Sequence, residues 1–274
     1  MRRVERRNAT FQQWQALLTN RSKRNAAGEL IVQGVRPITV AAEAGVAFRS
    51  LLFDGRPRPS AWARALLASG IAPVIEVAPD LLAELGERSD GAPELVAVVQ
   101  RPDDDLARLP DRPDALVVVF DRPGSPGNIG SLARSVDALG AHALVTTGHA
   151  ADAWDPASVR ASTGSVFAVP IVRLSSHAPL LGWVAERRRA GVPLTIVGTD
   201  ESGTVDLPDT PLTGPTVVVV GNETAGMSEA WRRSCDVVAR IPMGGRASSL
   251  NAAAAGTVVL YEASRQRAQR SSSV

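Results

Sequence analysis

Three short loops concentrate the residue types that ligand binding and catalysis need: glycine, asparagine, serine and isolated charges. They span residues 121–135, 221–228 and 241–251. Glycine lets a backbone approach a ligand closely, and a helix that begins in such a loop offers free N–H groups to an anion. The first loop holds two prolines and three glycines together with Asn128 and Arg134, which is more than capping a helix requires. We therefore interpret it as a binding loop.

The other two loops add a carboxylate and a helix of small residues. Glu223 stands in Gly-Asn-Glu-Thr-Ala-Gly-Met-Ser, directly after the apolar run 216–220. The third loop leads into the alanines at 252–255. Ser249 in this loop has two interpretations, as a helix cap or as part of a site. Each of the three loops follows a predicted strand, so we expect them to meet in one composite pocket.

The elements that must position these loops alternate between strand and helix. The apolar run Leu116–Phe120 predicts a strand that is buried on both faces. Apolar patterning predicts further strands at 143–146, 165–172, 194–197, 216–220 and 237–241, and helices at 127–139, 177–189, 228–234 and 249–266. This alternation is typical of a mostly parallel α/β sheet.

The residues before 115 predict a smaller α/β unit and a connection. Residues 10–24 predict one amphipathic helix. The stretch 101–114 is rich in proline and aspartate, so we interpret it as a linker with a solvated acidic loop at 103–105 rather than a metal site. The predicted boundaries are a basic arm at 1–24, an α/β domain at 25–100, the linker at 101–114 and a second domain at 115–274.

Composition and charge limit the class of protein. The chain has 274 residues, of which 45% are hydrophobic and 21% charged, which is typical of a folded globular protein. One cysteine excludes a disulfide framework, and no apolar stretch has the length of a membrane span or the form of a signal peptide. We therefore expect a cytoplasmic protein without a membrane partner. The net charge is only +2, yet residues 1–25 hold seven basic residues against one acidic residue, which predicts a polyanionic partner.

Several familiar site motifs are missing from the loops. The sequence has no GxGxxG, no Gly-Lys-Ser/Thr phosphate loop and no GxSxG elbow, which disfavours dinucleotide enzymes, P-loop enzymes and serine hydrolases. The three histidines lack metal-ligand spacing, so no metal site is predicted. Cys235 has no evident activating partner in the sequence and is expected to be a small core residue.

The three loops resemble the signature motifs of a known family. Residues 126–140, 221–228 and 241–255 are similar, in order and spacing, to the motifs of the SpoU, or TrmH-like, RNA ribose 2′-O-methyltransferases of the SPOUT superfamily. Residues 160–172 resemble the family's stretch between the first two motifs, and residues 25–100 resemble an RNA substrate-binding domain similar to the ribosomal L30e fold. The resemblance implies an N-terminal L30e-like α/β domain followed by a SPOUT α/β domain with a C-terminal trefoil knot.

The resemblance also implies site residues and a cofactor. The polar set that matches the family's motifs is Arg134, Asn128, Glu223, Ser249 and Asn251. The implied methyl donor is S-adenosylmethionine, without a metal, held by groups around Gly221, Ile241, Met243, Leu250, Gly198 and Thr199. Because arginine stays protonated in proteins, we expect Arg134 to orient the ribose 2′-oxygen or a phosphate and to stabilise the alkoxide. Glu223 is expected to hold Arg134 or the substrate, and the remaining three to position the ribose.

The two-domain form resembles enzymes that act on 23S rRNA, including the resistance methyltransferases of antibiotic-producing actinomycetes. We therefore expect a homodimer that methylates a ribose 2′-hydroxyl of 23S rRNA, free or in a large-subunit precursor, with a uridine slightly favoured and antibiotic resistance as the outcome. One alternative is a tRNA ribose 2′-O-methyltransferase, which usually has a smaller N-terminal extension. Another is a catalytically silent rRNA-binding assembly factor, which would have no need to keep Arg134 and Asn251.

Overall fold

The fold was described from a computed structural model, which defines residues 2–86, 92–247 and 249–271. Contacts divide the chain into two compact units. The first consists of Met1–Pro102 and Trp154–Ala168, and the second of Asp103–Ala153 and Val169–Val274. Within the described residues no helix has both the length and the apolar character that a membrane crossing requires.

The first unit is built on a five-stranded mixed sheet. Its elements up to residue 100 are β1 (Arg2–Val4), α1 (Ala9–Thr19), α2 (Arg21–Ala27), β2 (Glu29–Val32), α3 (Val35–Glu43), β3 (Phe48–Phe53), α4 (Ala61–Ala68), β4 (Val74–Val77), α5 (Pro79–Leu85) and β5 (Leu95–Gln100). The strand order is β1-β4-β3-β5-β2. Strand β5 runs antiparallel to β2 and β3, and the other pairs are parallel.

The predicted basic arm is wrong, because residues 2–24 belong to the body of the first unit. Strand β1 pairs with the edge strand β4, and Phe11 and Trp14 of α1 lie in the core. Arg24, counted above as part of the basic arm, is only 2% exposed and donates to the main-chain oxygen of Leu17 at 2.7 Å. Its guanidinium also lies 3.4 Å from Asp155. The apolar face of the segment, rather than its charge, therefore determines where it lies.

The predicted single helix at 10–24 is two helices that meet at Asn20. The main-chain N–H of Asn20 closes α1 on Ala16, and its side chain caps α2 by accepting from the N–H of Lys23 at 3.1 Å. Asparagine is among the preferred N-cap residues, because its side-chain oxygen replaces a missing helix acceptor.

The second unit is built on seven parallel strands. The elements from residue 116 onward are β6 (Leu116–Asp121), α6 (Pro126–Ala138), β7 (Ala143–Thr147), α7 (Pro156–Ala161), α8 (Ser165–Ala168), β8 (Ile171–Leu174), α9 (Ala178–Arg189), β9 (Thr195–Thr199), β10 (Val205–Asp206), β11 (Thr216–Val220), α10 (Glu229–Ser234), β12 (Val237–Arg240) and α11 (Ala252–Ser271). Helices α7 and α8 lie in the first unit. The strand order is β10-β12-β9-β11-β6-β7-β8. Because β12, β9, β11 and β6 are parallel neighbours, the loops that follow them emerge at one edge of the sheet.

Three further predictions about elements need correction. The predicted strand 165–172 begins as the short helix α8, and only its last residues join β8. Helix α11 begins at Ala252, three residues later than predicted. Residues 103–114 of the predicted linker belong to the second unit, since Leu109 is buried in its core and Asp104 accepts the N–H of Arg173 at 3.1 Å. No group of metal-binding side chains occurs in the described part of the chain.

Candidate active site

The loops after β9, β11 and β12 enclose a cavity of about 610 Å³. A cavity of this volume is in the range that binds small molecules. Its lining comes from residues 199–202, from residues 220–226, from Arg232 on α10, and from Ile241, Met243, Ser249, Leu250, Ala252 and Ala255. The structure thus brings the second and third motif loops together around one cavity, whereas no residue of the first motif loop, 121–135, lines it, so the expected pocket of all three loops needs correction.

The predicted cofactor residues fall into two groups. Those that line the cavity are Gly221, Ile241, Met243, Leu250 and Thr199. Gly198 does not line the cavity. An added Cβ at this position in β9 would come within 2.7 Å of the Cys235 sulfur and the Met227 methyl group. Gly198 therefore makes room for packing next to the cavity. Burial raises the pKa of the Cys235 thiol to about 11, which agrees with the predicted inert core role.

A chain of hydrogen bonds joins one residue from each motif loop. The side-chain amide of Asn251 donates to the side-chain oxygen of Asn128 at 3.2 Å, and the amide of Asn128 donates to Glu223 Oε1 at 2.8 Å. Glu223 Oε2 accepts the N–H of Gly124 at 3.1 Å. The side chain of Asn251 also caps α11 through the N–H of Ala253 at 3.0 Å. Asn128 must therefore accept and donate simultaneously, which an amide does and a carboxylate does not.

Glu223 is held as a carboxylate. Partial burial raises the pKa of Glu223, but hydrogen bonds from the Asn128 amide and from the N–H groups of Glu223 itself, Gly124 and Ser125 outweigh burial and leave the pKa below its ordinary value. A carboxylate with a lowered pKa is a weak base at neutral pH. The geometry therefore gives Glu223 a role in positioning Asn128.

The turn that carries Glu223 has a fixed backbone. The main-chain groups of Asn222 and Gly226 bond to each other at 2.9 and 3.0 Å, and the Asn222 side chain accepts the N–H of Thr224 at 2.9 Å. Gly226 has a φ of +63°, which favours glycine. A Cβ on Gly221 would lie 2.3 Å from the main-chain nitrogen of Met227, so only glycine fits there.

The cavity wall holds an ion pair that was not predicted from the sequence. Asp200 and Arg232 approach to 2.5 Å, and Asp200 also accepts the hydroxyl of Ser202 at 2.6 Å. Burial raises the pKa of Asp200, but its hydrogen bonds to Ser202 and the charge of Arg232 together lower the pKa by more than burial raises it, so the net shift is downward. The available signal was the position of Asp200, directly after β9 at the edge where the motif loops emerge.

The two remaining residues of the predicted polar set, Ser249 and Arg134, differ in their position relative to the cavity. Ser249 lines the cavity and is exposed. Arg134 is exposed on α6, does not line the cavity, and makes no hydrogen bond or ion pair with the described part of the chain. Within one chain Glu223 holds Asn128 and does not contact Arg134, while the alternative expectation, that Glu223 holds the substrate, stays a prediction. Arg134 follows Asn128 by six positions, and at 3.6 residues per turn this spacing directs the two side chains to different faces of α6.

A parallel α/β sheet with polar loops around a cavity at one edge, preceded by a smaller α/β unit, defines a class of two-domain enzymes. Residues 115–261 match the SpoU rRNA Methylase family, and residues 8–97 match the SpoU L30e-like domain. The chain belongs to the SpoU rRNA methylase family. The predicted family and the predicted order of the two α/β domains are thereby confirmed, while the trefoil knot stays a prediction.

Particular relatives are similar over nearly the whole chain. A Streptomyces viridochromogenes protein named 23S rRNA (uridine(2479)-2′-O)-methyltransferase is 58% identical over 266 residues, which cover 97% of this chain and 93% of the relative. The crystal structure of the SpoU methyltransferase AviRb from Streptomyces viridochromogenes, in complex with AdoMet, is similar with a TM-score of 0.92 at 58% identity, covering 96% of this chain and 99% of that chain. The AdoMet-bound rRNA methyltransferase from Sinorhizobium meliloti is similar with a TM-score of 0.81 at 28% identity, over 96% and 98% of the two chains.

Proposed function

We propose that this protein transfers a methyl group from S-adenosylmethionine to a ribose 2′-hydroxyl of 23S rRNA in the cytoplasm. The observation that carries the proposal is the hydrogen-bonded chain from Asn251 through Asn128 to Glu223, beside a cavity of about 610 Å³. The 58% identical relative, whose name states this reaction on a uridine, supports both the reaction and the substrate. A uridine is therefore the proposed target base.

The lining of the cavity fits S-adenosylmethionine. Ile241, Met243 and Leu250 provide apolar surface for an adenosine group, and Met243 and Leu250 are 40% and 41% exposed. The charged lining residues are Asp200, Glu201, Glu223 and Arg232, so negative charge dominates. This excess attracts a ligand that carries sulfonium and ammonium groups. When bound, the cofactor supplies an electrophilic methyl group.

The polar residues then prepare the ribose. A hydroxyl is a weak nucleophile until its proton is removed. Asn128 and Asn251 are fixed by each other and by Glu223, and with the Ser249 hydroxyl they present donors and acceptors to a ribose. Arg134 supplies a permanent positive charge that stabilises the developing alkoxide or orients a neighbouring phosphate.

We place Arg134 in the site of a second copy of the chain, in a homodimer. Arg134 is exposed on α6 and lies outside the cavity of its own chain. The neighbouring helix α11 packs on α6 through a 2.6 Å hydroxyl contact between Ser135 and Thr257. It carries two exposed apolar side chains three residues apart, Val258 and Tyr261, which are 37% and 62% exposed. Exposed apolar side chains on a helix that packs on α6, together with an arginine that has no partner among the described residues, are suited to a self-complementary interface.

A tritiated-methyl transfer assay tests the reaction and its substrate. The protein is incubated with labelled S-adenosylmethionine and either protein-free 23S rRNA, assembled large subunits or tRNA. We expect label in 23S rRNA, supplied free or as the particle, and background label in tRNA. Preferential label in tRNA would establish the tRNA alternative, and no label in any RNA from a folded, cofactor-binding protein would establish the silent assembly factor.

The proposed antibiotic resistance has a separate test. A methyl group added to rRNA blocks a drug that contacts the same ribose. We expect a sensitive host that expresses the wild-type protein to tolerate at least one drug that binds the large subunit, and a host that expresses Arg134→Ala to remain sensitive. Equal tolerance in both hosts would contradict a resistance that depends on methylation.

A further inference from the structure

Arg122 adopts a backbone conformation that is unfavourable for its residue type. It directly follows β6 and has a φ of +52°. In the described part of the chain Thr163 is the other non-glycine residue with a positive φ. A Cβ makes this left-handed region unfavourable, and such strain persists only where surrounding contacts over-determine it. Arg122 is therefore expected to make contacts that a glycine cannot make.

The contacts of Arg122 hold both ends of the turn 222–226. Its guanidinium donates from Nη2 to the main-chain oxygen of Gly226 at 3.0 Å. Its own main-chain oxygen accepts the side-chain amide of Asn222 at 2.6 Å. The left-handed backbone thus directs the main-chain oxygen to one end of the turn and the guanidinium to the other. Glu223 lies between these two points.

A buried carboxylate fixes the guanidinium in turn. Asp121 is only 3% exposed, and its Oδ2 accepts Nε of Arg122 at 3.1 Å and the N–H of Ser228 at 2.8 Å. Its Oδ1 accepts the hydroxyl of Thr147 at 3.0 Å, and that hydroxyl accepts the indole N–H of Trp231 at 3.1 Å. Asp121 is therefore immobilised by β7 and α10, and it provides a rigid anchor for Arg122.

We propose that Arg122 is a positioning residue that sets the geometry of the turn 222–226 and, through it, the affinity for the cofactor. The turn forms part of the cavity wall and carries Glu223, which in turn orients Asn128. Without the guanidinium, the Gly226 end of the turn loses its link to β6. The proposal rests on the proposed function only in the identity of the cofactor.

Two variants test the proposal because they remove the guanidinium and tolerate the same backbone. Arg122→Gly and Arg122→Asn both favour a positive φ. We expect melting temperatures within about 4 °C of wild type, since relief of the backbone strain offsets part of the lost hydrogen bonding. We expect an S-adenosylmethionine Kd and KM raised about tenfold, the effect of one lost charge-assisted hydrogen bond, and hydrogen exchange at amides 224–226 accelerated about tenfold. Exchange in β6 and β11 should stay the same. A purely structural role would lower the melting temperature but leave the KM of the folded fraction unchanged.

Matched controls separate strain from positioning. Thr163→Gly relieves a similar left-handed backbone in the first unit, and Arg233→Ala removes a guanidinium from α10 that is 78% exposed on its side chain. Both should keep the wild-type Kd and the wild-type exchange of the turn. Wild-type Kd in both Arg122 variants would overturn the proposal, with or without faster exchange. If only Arg122→Gly were to unfold, Arg122→Asn would decide. Failure of the wild-type protein to bind S-adenosylmethionine would overturn the proposed cofactor, whereas the exchange measurement would still test the turn.

Discussion

Asn128 is the residue whose chemistry is most tightly specified. Its amide donates to Glu223 at 2.8 Å while its oxygen accepts from Asn251 at 3.2 Å. The isosteric change Asn128→Asp replaces the donor by a second carboxylate beside Glu223. Like charges at this distance raise the pKa of the pair. We expect the rate of methyl transfer to fall by at least about 100-fold, the usual scale for a lost positioning group. The rate is measured with labelled cofactor.

The same change reverses the pH dependence of stability at this site. In Asn128→Asp the pKa of the carboxylate pair is raised in the folded state. The contribution of the pair to folding stability is therefore fully present at low pH and is lost as the pH rises through that raised pKa. Melting temperatures between pH 4 and 8 measure the effect. Asn8→Asp is the matched control, because Asn8 caps α1 and aspartate caps equally well. A variant that tracks wild type at every pH would refute the hydrogen-bonded pair.

Glu223 has an acid dependence of the opposite sign. The hydrogen bonds around Glu223 leave its folded-state pKa below the ordinary value of 4.5. Its stabilisation is therefore present above the unfolded-state pKa and is lost as the pH falls through the lower folded-state pKa. We expect Glu223→Gln to melt about 2–4 °C below wild type at pH 7, the effect of roughly one hydrogen bond. The difference should close at acidic pH, and a constant difference from pH 7 to 3 would contradict this.

At the scale of elements, the wall of the cavity depends on close backbone contact at Gly221. A Cβ at this position would lie 2.3 Å from the main-chain nitrogen of Met227. A main-chain atom cannot move away by a side-chain rotation. We expect Gly221→Ala to lose about 1–3 kcal/mol of unfolding free energy, as overpacked sites do, and to bind S-adenosylmethionine at least tenfold more weakly. Denaturant unfolding and calorimetric titration measure the two effects.

Gly182→Ala is the matched control for this substitution. Gly182 lies inside α9, and nothing is within 4 Å of an added Cβ. Alanine is favoured over glycine in a helix interior, so this variant should gain about 0.5–1 kcal/mol and keep its cofactor affinity. Equal behaviour of the two alanine variants would show that Gly221 is not sterically required.

Much of the second unit was predictable from local pattern, because parallel strands buried on both faces read as uninterrupted apolar runs. The runs at β6 and β11 are fully buried, as predicted. The short strands β1 and β10 have three and two residues, too few to show any period. The excursion of residues 154–168 into the first unit depends on non-local contacts such as Arg24 with Asp155, which no local pattern encodes.

The site, too, contains some features that could be predicted from the sequence and others that could not. The motif loops followed from their positions after strands, whereas the lining residues Gly221, Met243 and Leu250 followed only from the resemblance to the SpoU motifs. The partner of Glu223 did not, because both Arg134 and Asn128 lie on α6 and only the helix phase decides between them. Arg122 was equally hidden, since the sequence does not reveal its left-handed backbone.

At the scale of the whole molecule, the proposed dimer predicts complementation between two inactive variants. If Arg134 acts in the partner's site, a heterodimer of Arg134→Ala and Asn128→Asp has one intact site and one doubly altered site. Random exchange of protomers then restores about a quarter of the wild-type activity. Unmixed variants should stay inactive. Heterodimers that form, as shown by two different affinity tags, and yet show no recovered activity would place Arg134 in its own protomer's site.

The reaction proposed for the motif loops of this chain is methylation of one ribose of 23S rRNA. Primer extension at low deoxynucleotide concentration tests it most directly, because reverse transcriptase pauses at a 2′-O-methylated ribose. After incubation with the wild-type protein and S-adenosylmethionine, we expect one new stop in 23S rRNA, at a uridine, and no stop with Arg134→Ala. A missing stop with the wild-type protein, or a stop of equal intensity with a folded Arg134→Ala, would contradict the account.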